Sequence, residues 1–234
     1  MTAPTTARRY GHRDLQEFNA RLAELRASAG PPSATGDFVA YTDGACLGNP
    51  EGPGGWGAVI IPPPPGAAWH LFGHLSSTSN NRAEALAVLA ALEWVADGSQ
   101  LWLHSDSELT VRILQGRYKA RANADIWNVI RETLAARRLS LHPEWVRGHA
   151  GDPLNETADR LSRLGAAGNL TSPPVEPVET LAPRAPDELS GLVPRGEWER
   201  DFLNSIAEQL RRGRSLSAKQ QAVVDRIRAR GPAA

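Results

Sequence analysis

Between residues 37 and 168 the apolar positions follow two different periods. Phe38, Ala40 and Thr42 alternate with Val39, Tyr41 and Asp43 before the chain reaches glycines, which predicts a strand over 37–46. Two more strands, over 56–61 and 68–77, are joined through the turn residues 62–66 as a hairpin. The period then lengthens. Residues 80–96 are rich in Ala and Leu, and Ala83, Leu86, Val88, Leu89, Leu92 and Val95 suit a largely buried helix. A short buried strand over 101–105 follows, then a short helix over 107–115 with Ser107 as its expected N-cap. Residues 124–137 place Ile126, Trp127, Ile130 and Leu134 on one side of a helix; a strand over 139–146 and a helix over 154–167 complete the run. The order βββαβααβα predicts an α/β domain. Its sheet is mixed and five-stranded, three antiparallel strands then two parallel ones, with helices on both faces.

The flanks read differently. In residues 1–36, Leu15, Phe18, Leu22 and Leu25 align as one amphipathic helix before Pro31-Pro32. Residues 171–194 hold six prolines, too many for a helix or a central strand, and read as an extended linker. In residues 195–234, Trp198, Phe202, Ile206 and Leu210 recur every fourth position up to Gly213. Ser217 and Gln220 then form a capping-box pattern ahead of Val223, Val224 and Ile227. The expected organisation is therefore an N-terminal helix and linker (1–36), a main domain (37–170), a Pro-rich linker (171–194) and a basic helical hairpin (195–234).

Charge sharpens that division. The 26 basic and 26 acidic side chains cancel, so net charge assigns no partner. Residues 37–170, however, carry eleven basic and fourteen acidic side chains, against nine and five in residues 195–234. A single cysteine, Cys46, excludes an internal disulfide and a Cys-rich zinc site, which suits a reducing compartment. No apolar run approaches the roughly 18 residues of a membrane span, so a soluble, cytoplasmic protein is expected. Of the seven tryptophans, Trp56, Trp94, Trp102, Trp127 and Trp145 fall among apolar neighbours and are expected to pack in the core rather than stack on bases.

Four carboxylates stand where α/β folds place chemistry. Asp43 ends the first strand, Glu84 opens the first long helix, Asp106 follows the strand over 101–105, and Asp159 lies in the last helix of the domain. Taken singly, each has an ordinary use as a turn former or a helix-start charge. Burying them together is unfavourable unless cations neutralise them. About four negative charges match two divalent cations, and hard oxygen donors favour Mg²⁺ or Mn²⁺ over zinc. Two such ions about 4 Å apart support in-line attack on a phosphodiester.

The surrounding words are more specific. Residues 41–57 read YTDGACLGNPEGPGGWG, 79–86 read SNNRAEAL, 104–107 read HSDS and 145–159 read WVRGHAGDPLNETAD. In order and spacing, residues 37–168 resemble a type 1 ribonuclease H (ribonuclease HI); neither terminal region is assigned by the resemblance. It implies a metal-dependent endoribonuclease that cleaves the RNA strand of RNA–DNA hybrids with two Mg²⁺ (or Mn²⁺) ions, leaving 5′-phosphate and 3′-hydroxyl ends. Asp43, Glu84, Asp106 and Asp159 match the metal-binding acids, and His149 matches a loop histidine that assists proton transfer or product release. The glycine turn with Gly44 and Cys46 lets backbone approach a sugar. Asn49, Asn80 and Asn81 match minor-groove contacts, Asn80 being also a good helix N-cap, and Glu84 doubles as a 2′-hydroxyl acceptor. Ser79 and Asn123 match a pocket for a DNA-strand phosphate, while Ser77 stands where many relatives carry Arg.

One departure bears on substrate grip. Where many bacterial relatives insert a long basic helix, this chain has only residues 116–123, with Arg117, Lys119 and Arg121. The basic hairpin over 195–234 is therefore expected to supply hybrid affinity, or to bind a replication or repair protein. A monomer with no membrane partner is expected. The alternatives are a non-catalytic hybrid-binding module, which loss of an acid would have favoured, and another ribonuclease H-like DNA nuclease, which would lack the Asn-rich glycine turn.

Overall fold

Apolar residues on both faces of residues 38–41 call for a strand with cover on two sides. In a computed structural model of the protein, residues 13–63, 67–148, 151–170 and 216–230 are described, with single positions between 189 and 206. The elements are α1 (Arg13–Ala29), β1 (Asp37–Cys46), β2 (Gly54–Ile61), β3 (Trp69–Leu75), α2 (Asn80–Trp94), β4 (Gln100–Ser105), α3 (Glu108–Leu114), α4 (Ala124–Ala136), β5 (Ser140–Trp145), α5 (Pro153–Ala166) and α6 (Ala218–Ala229). One five-stranded sheet runs in the order β3-β2-β1-β4-β5. β1, β2 and β3 pair antiparallel, and β4 and β5 run parallel to β1. This is the mixed sheet that the element order predicts.

The two faces of β2 separate the layers. Trp56, Ala58 and Ile60 join Leu86, Leu89 and Trp94 of α2 in the main core. Gly55 and Gly57 face α5, whose backbone lies directly on the sheet: a Cβ on Gly57 would stand 2.5 Å from the Ala158 carbonyl oxygen. Only glycine allows that approach, so these two positions set the depth of α5.

α1 shares this core. Leu15, Phe18 and Leu22 are buried in it, and the Phe18 ring meets Trp56 edge-on with centroids 5.1 Å apart. Polar ties run along the rest of the helix. Arg21 Nε donates to the Phe72 carbonyl (3.1 Å), Glu17 accepts from the Ser76 amide (2.8 Å), and Arg26 pairs with Glu93 (2.9 Å). Asp14 pairs with Arg82, which also holds Asp125 at 2.7 Å.

Two expectations change. β4, read as a buried strand, alternates instead: Leu101, Leu103 and Ser105 are buried, Trp102 and His104 half-buried. α5 packs on β1, β2 and β3, so the Trp102–His104 face of β4 is covered mainly by ring stacking, Trp102 on His142 (4.7 Å) and Tyr41 on His104 (4.6 Å). Trp145, expected in the core, is 50% exposed at the end of β5.

The chain divides into two units between Pro177 and Val178. In the second, Ser217 caps α6 with both capping-box hydrogen bonds present. Positions 198, 199, 202, 203, 205 and 206 are helical, and Leu189, Ile206 and Val224 cluster with Phe202, Leu203 and Leu216 packed against them. Leu210 and Gly213, and the linker residues 171–188, lie outside the described residues. Among the described residues no helix is long and apolar enough to cross a membrane.

Candidate active site

Parallel pairing of β1 with β4 brings two acids to one edge of the sheet. Tyr41 is in register with His104, so Asp43 and Asp106, each two residues further on, come side by side; Asp106 follows the end of β4, whereas Asp43 does not end its strand as expected but lies inside β1, still paired with Gly57 of β2. α2 begins against that edge because position 44 is glycine: a Cβ there would stand 2.1 Å from the Glu84 amide nitrogen. This contact puts Glu84, in the first turn and a half of α2, beside Asp43. One carboxylate oxygen from each of Asp43, Glu84 and Asp106 lies within 4.8 Å of the others. Asp43 and Glu84 are buried and Asp106 is half-buried.

Such a cluster resists ionisation. Burial first, and then the charges of Asp106 and Asp159, push Asp43 up to about 6, against hydrogen bonds from Ser162 and the Gly44 amide. Burial, followed by the charges of Asp43 and Asp106, raises Glu84 well above the usual carboxylate range. Glu84 Oε2 is buried without a hydrogen-bond partner. A buried carboxylate oxygen with no donor, beside two more acids, is the donor set of a hard divalent cation; with neither Cys nor His in the group, it suits Mg²⁺ or Mn²⁺ better than zinc.

Asp159 is not one of the three. It sits half-buried on α5, and its Oδ1 accepts from Arg163 Nε at 2.9 Å. His149 lies outside the described residues. Its neighbour Gly148 is against Asp106, where a Cβ would stand 2.6 Å from Oδ2.

Three further residues touch the cluster without having been singled out as site residues in the sequence. Ser162 Oγ donates to Asp43. Asn155 Nδ2 donates to Asp106 Oδ2 at 3.3 Å. Trp145 Nε1 donates to the Asp106 carbonyl at 3.0 Å. The first two were detectable: Asn155 is four residues before Asp159 and Ser162 three after, so all three share one face of α5. Asp152 fixes the start of that helix by accepting from the amides of Leu154 (3.0 Å) and Asn155 (3.3 Å).

Beside the acids, the glycine turn and α2 are tied together: Asn49 Oδ1 accepts from the Asn80 amide at 3.1 Å. Asn80 is therefore not the N-cap. Ser79 occupies that position, its own side chain makes no capping bond, and Asn49 reaches across to satisfy the helix end instead. Cys46 is half-buried with Sγ 3.4 Å from the Thr78 carbonyl oxygen, and Ser77 Oγ donates to the Glu51 carbonyl at 3.0 Å. Asn123 precedes α4 in the left-handed region (φ 56°). Asn81 and Asn123 line one cavity of about 540 Å³ with Arg117, Lys119, Arg121 and Trp127.

The chain is similar in sequence to known proteins. The family model described as RNase H matches residues 35–167. "Ribonuclease H" of Chelativorans sp. (strain BNC1) is 41% identical over 140 residues, covering 54% of this chain and 83% of that protein. "Ribonuclease H" of Paramagnetospirillum magneticum (strain ATCC 700264 / AMB-1) is 43% identical over 141 residues, covering 54% and 88%. Among solved structures, an LC11-RNase H1 in complex with RNA/DNA hybrid is similar at 28% identity and a TM-score of 0.48, covering 57% of this chain and 99% of that one.

Proposed function

Because this chain belongs to the ribonuclease H family, as a type 1 domain, its three gathered acids have a reaction to perform, and we propose that they cleave the RNA strand of RNA–DNA hybrids endonucleolytically. The observation that carries the reading is the group Asp43, Glu84 and Asp106, with its buried, unpartnered Glu84 oxygen. Those three, with Asp159 adding charge from α5, would hold two divalent cations, Mg²⁺ or Mn²⁺. Held there, they would supply a lowered pKa for an attacking water and charge stabilisation for the departing 3′-oxygen, chemistry that would leave 5′-phosphate and 3′-hydroxyl ends.

The chain's own residues do the rest. Glu84 accepts a 2′-hydroxyl hydrogen bond, which DNA cannot offer. The Gly44–Cys46 backbone, Asn49, Asn80 and Asn81 read the minor groove around it. Ser79 and Asn123 hold a phosphate of the DNA strand. The cavity that Asn123 shares with Arg117, Lys119 and Arg121 extends this electrostatic track. His149 carries a proton at the leaving group or helps product depart. The chain acts as a cytoplasmic monomer.

A labelled RNA–DNA hybrid, incubated with Mg²⁺, with Mn²⁺ and with EDTA beside matched DNA and RNA duplexes, tests the reading. Cleavage is expected only of the hybrid and only with metal. Cleavage of the DNA duplex, or of the hybrid in EDTA, would overturn it.

A further inference from the structure

Ser162 reaches the acidic cluster from α5. It is fully buried, and its Oγ is within hydrogen-bond distance of Asp43 Oδ2 and 2.8 Å from the Asp159 carbonyl oxygen. A helical serine ordinarily returns its proton to a carbonyl one turn back. One hydroxyl carries one proton, and a carboxylate is a stronger acceptor than a neutral carbonyl, so the proton goes to Asp43. The donor is not free to follow the carboxylate. A Cβ on Gly55 would stand 2.3 Å from the Ser162 carbonyl oxygen, and one on Gly57 2.7 Å from its amide nitrogen, so the α5 backbone is seated on β2 at this residue.

We propose that Ser162 is a positioning residue of the cation site: from a helix locked onto the sheet it holds one oxygen of Asp43 and leaves the other for the metal. The inference rests on reading Asp43, Glu84 and Asp106 as cation ligands, and it is independent of which nucleic acid is cut. Outer-sphere partners of this kind change metal affinity by about 10–100-fold when removed.

The test is calorimetric titration of the metal-free full chain with Mn²⁺ alone, without nucleic acid, for the wild type, Ser162→Ala and Ser162→Cys. Ala removes the hydroxyl, and Cys, slightly larger than Ser, fills the space with a much weaker donor. Unfolding midpoints recorded in parallel show that each variant is folded. Mn²⁺ binding on the order of tenfold weaker in both variants is expected. Wild-type affinity in both would overturn the role of Ser162 while leaving the cation site standing. Loss in Ala alone would make the side chain a filler of space and overturn it equally. If the wild type binds no Mn²⁺, the cation-site reading fails, and this inference with it. Hybrid cleavage is not a readout, so a failed substrate reading leaves the result interpretable.

Discussion

At position 43 a carboxylate is held where little water can reach it, and its behaviour with pH follows. Its folded-state pKa of about 6 lies above the usual carboxylate range, so the protonated form is the one that folding favours. The stability this group contributes is therefore full below about pH 4 and is lost as pH rises through about 6. Glu84 shifts in the same direction. Asp43→Asn should abolish hybrid cleavage and, in EDTA at pH 8, make the protein more stable than the wild type by about 1–3 kcal/mol. Urea unfolding in EDTA at pH 4, 5 and 8 checks this: the gap should be small at pH 4, partly open at pH 5 and full at pH 8, and added Mg²⁺ should stabilise the wild type more than the variant. Trp145 offers a second residue-scale test. Its ring is 50% exposed and its N–H holds the Asp106 carbonyl, so Trp145→Phe should leave the fold intact. The lost hydrogen bond should lower kcat by roughly three- to tenfold with KM little changed, which steady-state kinetics on the hybrid would show.

Among the elements, α1 has the least obvious assignment. Its apolar stripe is visible in Leu15, Phe18 and Leu22, yet periodicity says only that the stripe is covered. The covering surface is β2, β3 and α2, with Phe18 against Trp56. If α1 belongs to that core, Phe18→Ala should cost about 3–5 kcal/mol, read as a lowered urea midpoint. An exposed, optional helix would show almost no change. Arg82 joins α1, α2 and α4 by holding Asp14 and Asp125 together. Arg82→Ala strands both acids without their cation and should cost about 3–5 kcal/mol. It should also weaken cleavage, because Arg82 stands between Asn81 and Glu84 in α2. Intact stability in this variant would show that the three helices are held by their apolar contacts alone.

For the whole molecule, the question is how an overall neutral chain grips a polyanion. Residues 37–170 carry a net excess of acids, and several of those acids form the cation cluster. Basic charge lies in Arg117, Lys119 and Arg121 around one cavity and in the last forty residues, nine basic against five acidic. Truncation after Leu170 should raise KM for the hybrid and leave kcat unchanged. Each phosphate contact removed should lower the slope of log K against log salt by about 0.9. Binding measured across a salt series decides it: unchanged affinity and slope would leave residues 195–234 to a protein partner.

The amino-acid sequence by itself determined the sheet and the main acids. Period-two and period-four patterns follow from strand and helix geometry, and Glu84 and Asp106 stand near a helix start and at a strand end, so these were legible locally; Asp43 and Asp159 lie inside their elements and were legible from the residues around them. The Ser217–Gln220 box was legible for the same reason, since a cap involves residues three apart. What lay beyond the sequence depends on contacts between distant segments. Asn49 displacing Asn80 from the capping role spans 31 positions, and Ser162 reaching Asp43 spans 119. The half-buried face of β4 depends on where α5 stops across the sheet, and Asp159, whose charge reaches Asp43, pairs with Arg163 one turn away on α5. Local pattern reports how much of a residue must be covered; only the packed chain decides by what.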